Sequence, residues 1–333
     1  MPIEILLAII MLIALNFYVL LGGADYGGGV WDLLSWGPRA SKQRALIAEA
    51  IGPIWEANHV WLILVIVILF TGFPLAFAEI STYLHIPLTL MLVGIVLRGS
   101  AFTFRSYDSR DDAVQRRWGR TFAIASTITP ILIGIIVGAI SSDRFPVIRS
   151  NFFKDFVLTW LKPFPIFVGF FALSLFAFLA SVYLTVETSD EELRNDFRLR
   201  GLASALLVFV LACFVFLLAG EDAPHIRHVL VSSVWTIPLH LSTGLCAIGA
   251  IVGLWKRQYS LARLCTILQV SLILWGWGLA QYPFLVRPAI TIYAAAAPEK
   301  TLDLLLGALI AGAILLFPCF YYLLKVFKER KAT

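Results

Sequence analysis

Long apolar runs separated by short polar joints dominate this chain. A helix crosses a bilayer with roughly 20 predominantly apolar residues. Runs of that kind are centred on 3–22, 54–72, 76–98, 120–140, 163–184, 202–219, 229–252, 262–282 and 303–324. The pattern predicts an all-α protein, a polytopic transmembrane helical bundle of about nine spanning helices, with 1–333 as a single integral-membrane domain. The second and third runs are separated only by Thr71-Gly-Phe-Pro-Leu75, a breaker cluster that predicts a tight antiparallel helical pair. Met1 to Gly23 contains Glu4 but neither a basic n-region nor a small-residue cleavage site, so it is expected to be a retained span. The longest connections, near 23–53, 141–162 and 283–302, are too short for a soluble domain. Any activity is therefore built from helices and short loops, and no internal repeat is evident.

Composition agrees with that pattern, since 60% hydrophobic and 14% charged residues exclude an ordinary soluble domain. The net charge of +5 does not point to nucleic acid, because the bases are spread over many short loops. They act instead as a topology signal: 19 of the 26 Lys and Arg fall in the first, third, fifth and seventh loops and the C-terminus. That bias predicts an N-terminus outside and a C-terminus in the cytoplasm. Cys213, Cys246, Cys265 and Cys319 are far apart, without a Cys-x-x-Cys pair, and read as small core residues.

Polar side chains inside apolar runs need a reason. The stretch Glu49-Ala-Ile-Gly-Pro-Ile-Trp-Glu-Ala-Asn-His-Val-Trp-Leu62 carries a carboxylate, an amide and an imidazole into the second span. Pro53 fits a first helical turn, which puts Glu56 about 5 Å further along the axis at ~1.5 Å per residue, just inside the membrane. An ionisable residue there is a functional candidate. Glu56 and His59, three apart, share a helix face, while Asn58 points elsewhere. The alternative is that Glu56 complements the positive helix N-terminus and His59 bonds a carbonyl. Glu-x-x-His also occurs in di-iron bundles, but those need two such motifs and further glutamates, so no metal site is expected.

Gly22-Gly-Ala-Asp-Tyr-Gly-Gly-Gly-Val-Trp-Asp-Leu-Leu34 has five glycines that let the backbone turn or approach another element closely. Asp25 reads either as a carboxylate that relays protons or holds a cation, or as a loop acid bonding free N–H groups. Asp32, among Trp31, Leu33 and Trp36, fits a short amphipathic interfacial segment. Arg98 and Arg105 lie a heptad apart on one face. They either anchor the span at the cytoplasmic surface or pair with a buried carboxylate or a haem propionate. A bis-histidine haem needs two imidazoles on facing helices at matched depth, and His59, His85, His225, His228 and His240 form no obvious such pair.

Three of these stretches give the chain a family resemblance: Gly22-Gly-Ala-Asp-Tyr-Gly-Gly-Gly-Val-Trp-Asp, Pro53-Ile-Trp-Glu-Ala-Asn-His-Val-Trp-Leu62 and Arg98-Gly-Ser-Ala-Phe-Thr-Phe-Arg105. Together they resemble subunit II of the cytochrome bd-type quinol oxidases, with the match most specific over 15–105. The resemblance implies a heterodimer with a subunit I of similar architecture that carries b-type and d-type haems, oxidises quinol and reduces oxygen to water. Subunit II then supports that partner and lines routes for protons from the cytoplasm. Glu56 matches the family's acidic residue in Trp-(Asp/Glu)-x-Asn-x-Val-Trp, and Asp25 matches the second acid of an Asp-Gly-x-Asp pattern. The first acid of that pattern is Gly22 here, a departure that bears on any role needing both carboxylates. His59 stands where other members often carry glutamine.

The resulting expectation is a haem-free membrane subunit of a respiratory quinol:oxygen oxidoreductase in the bacterial cytoplasmic (inner) membrane. Its proton-path candidates are Glu56, Asp25, Asn58 and His59, and Arg98 and Arg105 are candidates for carboxylate or propionate pairing. Haem b and haem d belong to the partner on this reading. A bound quinone or lipid and a small accessory subunit are further candidates. The rival is a stand-alone proton- or cation-coupled secondary transporter using Asp25 and Glu56. A third reading is a cytochrome b-like chain with its own haem.

Overall fold

The computed structural model of the protein describes residues 1–52, 55–107, 112–146 and 151–329. Pro53, expected to open the second span, lies outside them. The first apolar run forms α1 (Ile3–Phe17), a π-helical turn (Tyr18–Gly22) and α2 (Gly23–Leu33). These make one continuous span of 31 residues, so the glycine-rich stretch expected in a connection is helical and belongs to the bundle. Then come α3 (Ala40–Ile51), α4 (Trp55–Gly72), α5 (Pro74–Tyr83), α6 (His85–Tyr107) and α7 (Asp112–Ser141). The short α8 (Phe152–Phe156) precedes α9 (Pro163–Glu187), α10 (Glu191–Asp222), α11 (Pro224–Ser232), α12 (Thr236–Trp255) and α13 (Tyr259–Gln281). An antiparallel ribbon of β1 (Phe284–Val286) and β2 (Ile290–Thr291) leads through α14 (Ile292–Ala295) to α15 (Glu299–Glu329). Among the described residues, 8 helices are long and apolar enough to cross a membrane, or 9 if α3 and α4, which meet at a bend, count as one span.

One expected boundary moves. The run at 76–98 is broken at Leu84, whose φ of −112° and ψ of 20° end α5, and the spanning helix starts only at His85. Glu79 and Tyr83 consequently lie on a separate short helix. The tight pair expected of the second and third spans is not the main packing either. The chief neighbour of α4 is α1, with α5 and α15 packing on it to a smaller and equal extent, and α6 packs on α7. The extra helix α5 sits between them in sequence and takes up the turn.

The centre of the bundle is α9, packed against α2, α7, α10 and α13. Its buried residues include Phe176, Phe178, Leu179 and Val182. Between apolar helices in lipid there is little hydrophobic drive, so close van der Waals approach at small residues has to supply the attraction. Two places show this. A Cβ on Gly27 of α2 would lie 1.9 Å from the Phe176 carbonyl oxygen, and one on Gly134 of α7 would lie 2.6 Å from the Gly169 Cα of α9. Trp31, one turn beyond Gly27, locks the first contact by donating from Nε1 to the Ala177 carbonyl at 2.8 Å. The gain from this packing offsets the poor intrinsic helix propensity of three consecutive glycines.

The two ends of the bundle are tied by different ionic groups. At one end, Arg39 of the loop before α3 forms a two-pronged bond to Asp196 of α10, at 2.9 and 2.7 Å. Gln43 donates to the same carboxylate at 2.8 Å. At the other end, Arg287 in the ribbon donates to Asp143 at 2.6 Å, and the Asp143 amide donates to the Asp222 carbonyl at 2.9 Å. Both networks join segments far apart in sequence.

The α2–α9 contact yields a direct test. Gly27→Ala places a methyl group against a backbone carbonyl that cannot swing away, an overpacking that costs about 1–3 kcal/mol or more. Gly312→Ala, on a stretch of α15 where nothing lies within 4 Å of the new Cβ, is expected to be neutral. Thermal unfolding of the purified protein in detergent should show a lower midpoint for Gly27→Ala alone. Equal midpoints for the two variants would disprove the close-approach account.

Candidate functional site

The π-helical turn at Tyr18–Gly22 widens the first span just before Asp25. Such a turn inserts an extra residue per helical cycle and so re-aims the side chains that follow it. Asp25 is thereby carried into the bundle, where it is 5% exposed, beside Asn58 of α4 at 2% and Arg98 of α6 at 1%. The Asn58 amide donates from Nδ2 to Asp25 Oδ2 at 2.5 Å. Arg98 donates from Nε to Ser126 Oγ at 3.2 Å, and its guanidinium lies 4.6 Å from the Tyr26 ring centre and 5.4 Å from that of Phe122. Arg98 Nη2 has no hydrogen-bond partner among the described residues.

Local sequence explains how these groups meet. Gly29 leaves room for α7, since a Cβ there would sit 2.2 Å from the Ser126 Cβ. That close approach brings Ser126 under α6, where Arg98 reaches it. Two phenols complete the cluster: Tyr18 donates to the Tyr26 hydroxyl at 3.3 Å, and both rings flank the half-buried His59, with ring centres 6.0 and 6.3 Å away. Both tyrosines are fully buried. Asp25, the one carboxylate among these residues, thus lies beside an amide, and a guanidinium, an imidazole and two phenols stand close by, all inside the bundle.

The sequence-derived candidates separate into two groups. Asp25, Asn58, His59 and Arg98 are brought together. Glu56 is not: it is exposed near the start of α4, so the face expected to unite it with His59 is split between surface and interior. The helix turns about 100° per residue, and here the interior claims Asn58 first, with His59 at its margin. The reading of Asp25 as a loop acid is corrected, because Asp25 is helical and accepts from a side chain. Arg98 is too deeply buried to anchor the span at a membrane surface.

Arg105 belongs elsewhere. It donates to Asp32 at 2.5 Å, and Arg44 approaches the other oxygen of that carboxylate at 3.4 Å. Asp32, expected on an interfacial segment, is 4% exposed. Its partners come from α3 and α6, so no local pattern around Asp32 announces the burial. Tyr18, Tyr26 and Ser126 were also not singled out from the sequence. Tyr18 precedes Asp25 by seven residues, a spacing that in a regular α-helix places both on one face, but aromatic residues are too common in membrane spans for that spacing to stand out.

The chain matches the family described as cytochrome bd terminal oxidase subunit II over residues 3–327. The putative cytochrome bd menaquinol oxidase subunit II of Bacillus subtilis (strain 168) is 23% identical, over 94% of this chain and 92% of that protein. The cytochrome bd-I ubiquinol oxidase subunit 2 of Escherichia coli (strain K12) is 22% identical, over 90% of this chain and 88% of that protein. In fold, the chain is similar to a chain of the bd oxidase from Geobacillus thermodenitrificans, with a TM-score of 0.81 at 20% identity, covering 98% of this chain and 99% of that one. Agreement between a match along nearly the whole sequence and a shared bundle fold leads to one conclusion: this chain belongs to the cytochrome bd terminal oxidase subunit II family.

Proposed function

We propose that this chain is the haem-free subunit of a quinol:oxygen oxidoreductase, paired with a haem-bearing subunit I, and that it passes protons toward the oxygen-reducing centre of that partner. The observation that carries the proton role is the bonded Asn58–Asp25 pair beside Arg98 inside the span. A carboxylate buried in lipid-protected surroundings is costly and is a default candidate for a proton relay. Asn58 occupies Oδ2, so a proton taken up on Oδ1 leaves that bond in place. Arg98 offsets the negative charge of the ionised state. Both protonation states of Asp25 are thereby accommodated without rearranging helices, which is what a relay requires.

Glu56 supplies the entry in this reading. It lies two residues before Asn58 on α4, about 3 Å along the axis at ~1.5 Å per residue, and it is exposed. The family's first acid is Gly22 in this chain, and the space is taken differently. A Cβ on Gly22 would meet the Tyr18 ring at 3.0 Å. The tyrosine pair and His59 therefore line the route where a second carboxylate is missing, and Asp25 acts as its single interior acid.

The histidines support placing the haems in the partner. His85 bonds the Thr82 carbonyl through Nδ1 at 2.9 Å and meets Phe156 edge-on. His59 lies between two phenols, and His225, His228 and His240 are exposed. An axial pair needs two imidazoles facing each other at one depth, and this arrangement does not fit that need. Family membership sets aside the stand-alone transporter. The cell compartment follows the same reading: the bacterial cytoplasmic membrane, with the N-terminus outside and the arginine-rich end in the cytoplasm.

Asp25→Asn in the assembled complex is expected to lower oxygen consumption by about 10²-fold, the lower range for losing a general acid–base group, while haem content persists. Asp25→Glu should retain more activity, because it keeps the titratable group. Wild-type turnover and proton-uptake kinetics in an assembled Asp25→Asn complex would eliminate the relay. For orientation, a reporter fused at the C-terminus should be active only when it folds in the cytoplasm, and periplasmic activity would reverse the proposed topology.

A further inference from the structure

At the arginine-rich end, α3, α6 and α7 leave a cleft of about 620 Å³, lined among others by Asp32, Arg44, Arg105, Arg116 and Arg120. Among the described residues the lining includes four guanidinium groups and one carboxylate, three more positive charges than negative around one concavity. Bases that merely orient a span are scattered over loops. These converge.

The single acid does not neutralise the cleft so much as build its wall. Asp32 is 4% exposed, and Arg105 and Arg44 reach its two oxygens at 2.5 and 3.4 Å. The Arg105 side chain lies along α7 at Gly119, where a Cβ would be in ordinary contact with Arg105 Cδ and Cζ at 3.7 Å. Two guanidiniums are thus held in place by a buried carboxylate. Arg116 and Arg120, one helical turn apart on α7, are exposed and make no ion pair with a described carboxylate. Their planar donors match a phosphate in two-pronged geometry.

Apolar side chains gather at the same end. Leu33, which also lines the cleft, is 41% exposed, and Leu34 and Trp36 follow at 50% and 82%. A basic concavity between membrane helices with exposed leucine and tryptophan at its edge suits a ligand with a phosphate head and an acyl tail. We propose that the cleft between α3, α6 and α7 binds a phosphate group, that of an anionic phospholipid in the adjoining leaflet. Arg116 and Arg120 hold the phosphate, and Asp32 fixes Arg44 and Arg105 beside it. This site is separate from the Asp25 cluster and does not rest on the proton path.

The test uses the complex of this chain with its haem-bearing partner, delipidated in detergent and followed by native mass spectrometry. It is titrated separately with short-chain phosphatidylglycerol, phosphatidylcholine and inorganic phosphate. Phosphatidylglycerol should bind in preference to phosphatidylcholine, and Arg116→Gln/Arg120→Gln should weaken it about ten-fold, as expected for losing charged hydrogen bonds. Arg116→Lys/Arg120→Lys, which keeps the charge, should retain most of the affinity, and haem spectra should match the wild type in both variants. Displacement of the lipid by millimolar inorganic phosphate keeps the phosphate site and identifies its source as soluble. Equal binding of the two lipids by the wild type, or unchanged phosphatidylglycerol binding in the glutamine variant, overturns the proposal.

Discussion

A carboxylate and a guanidinium held inside a bundle of lipid-facing helices are the constraint on which the rest of this structure depends. Asp25 and Arg98 are each almost wholly buried, and removing ions from water costs several kcal/mol apiece. That cost is offset only where fixed partners stand in for water. Asn58 supplies one to Asp25, and Ser126, Tyr26 and Phe122 surround Arg98. The partners come from α4, α7 and α2, so the site exists only while α2, α4, α6 and α7 keep their relative positions.

Those positions are fixed by backbone approach. Gly27 brings α2 onto the Phe176 carbonyl of α9, and Gly29 admits Ser126 of α7. Two glycines within one turn of α2 therefore do separate work: one seats α2 on the central helix, and the other closes the Arg98 pocket. The π-helical turn immediately before them sets the rotation at which Asp25 enters the interior. Packing, helix geometry and site chemistry are in this way determined by one stretch of about a dozen residues, roughly three helical turns.

The ends of the bundle divide the remaining charge by function. Arg39, Gln43 and Asp196 fasten α3 to α10, and Asp143 with Arg287 fastens the ribbon near α7. Asp32 does something different, since it holds two arginines at the rim of a cleft whose other two arginines are uncommitted to a described acid. Paired acids stabilise the ends, whereas the arginines that pair with no described acid leave one end able to receive an anion.

Much of this was determined by the sequence alone. Apolar runs near the bilayer-spanning length impose helices, because a backbone in hydrocarbon must satisfy its own hydrogen bonds. Polar residues within those runs mark the site for the same reason, which is why Asp25, Asn58, His59 and Arg98 were legible as candidates. Tertiary structure decided which of them meet. Asp32 looks interfacial beside Trp31 and Leu33, but two arginines distant in sequence, Arg44 and Arg105, bury it. Glu56 and His59 share a spacing and still part company, because α4 turns its Asn58 side to Asp25. The glycine run could equally have been a loop; contact with α9, α3 and α7 holds it as a helix. Periodicity fixes which residues share a face of one helix, whereas burial and pairing depend on the neighbouring helices, and those come from remote parts of the chain.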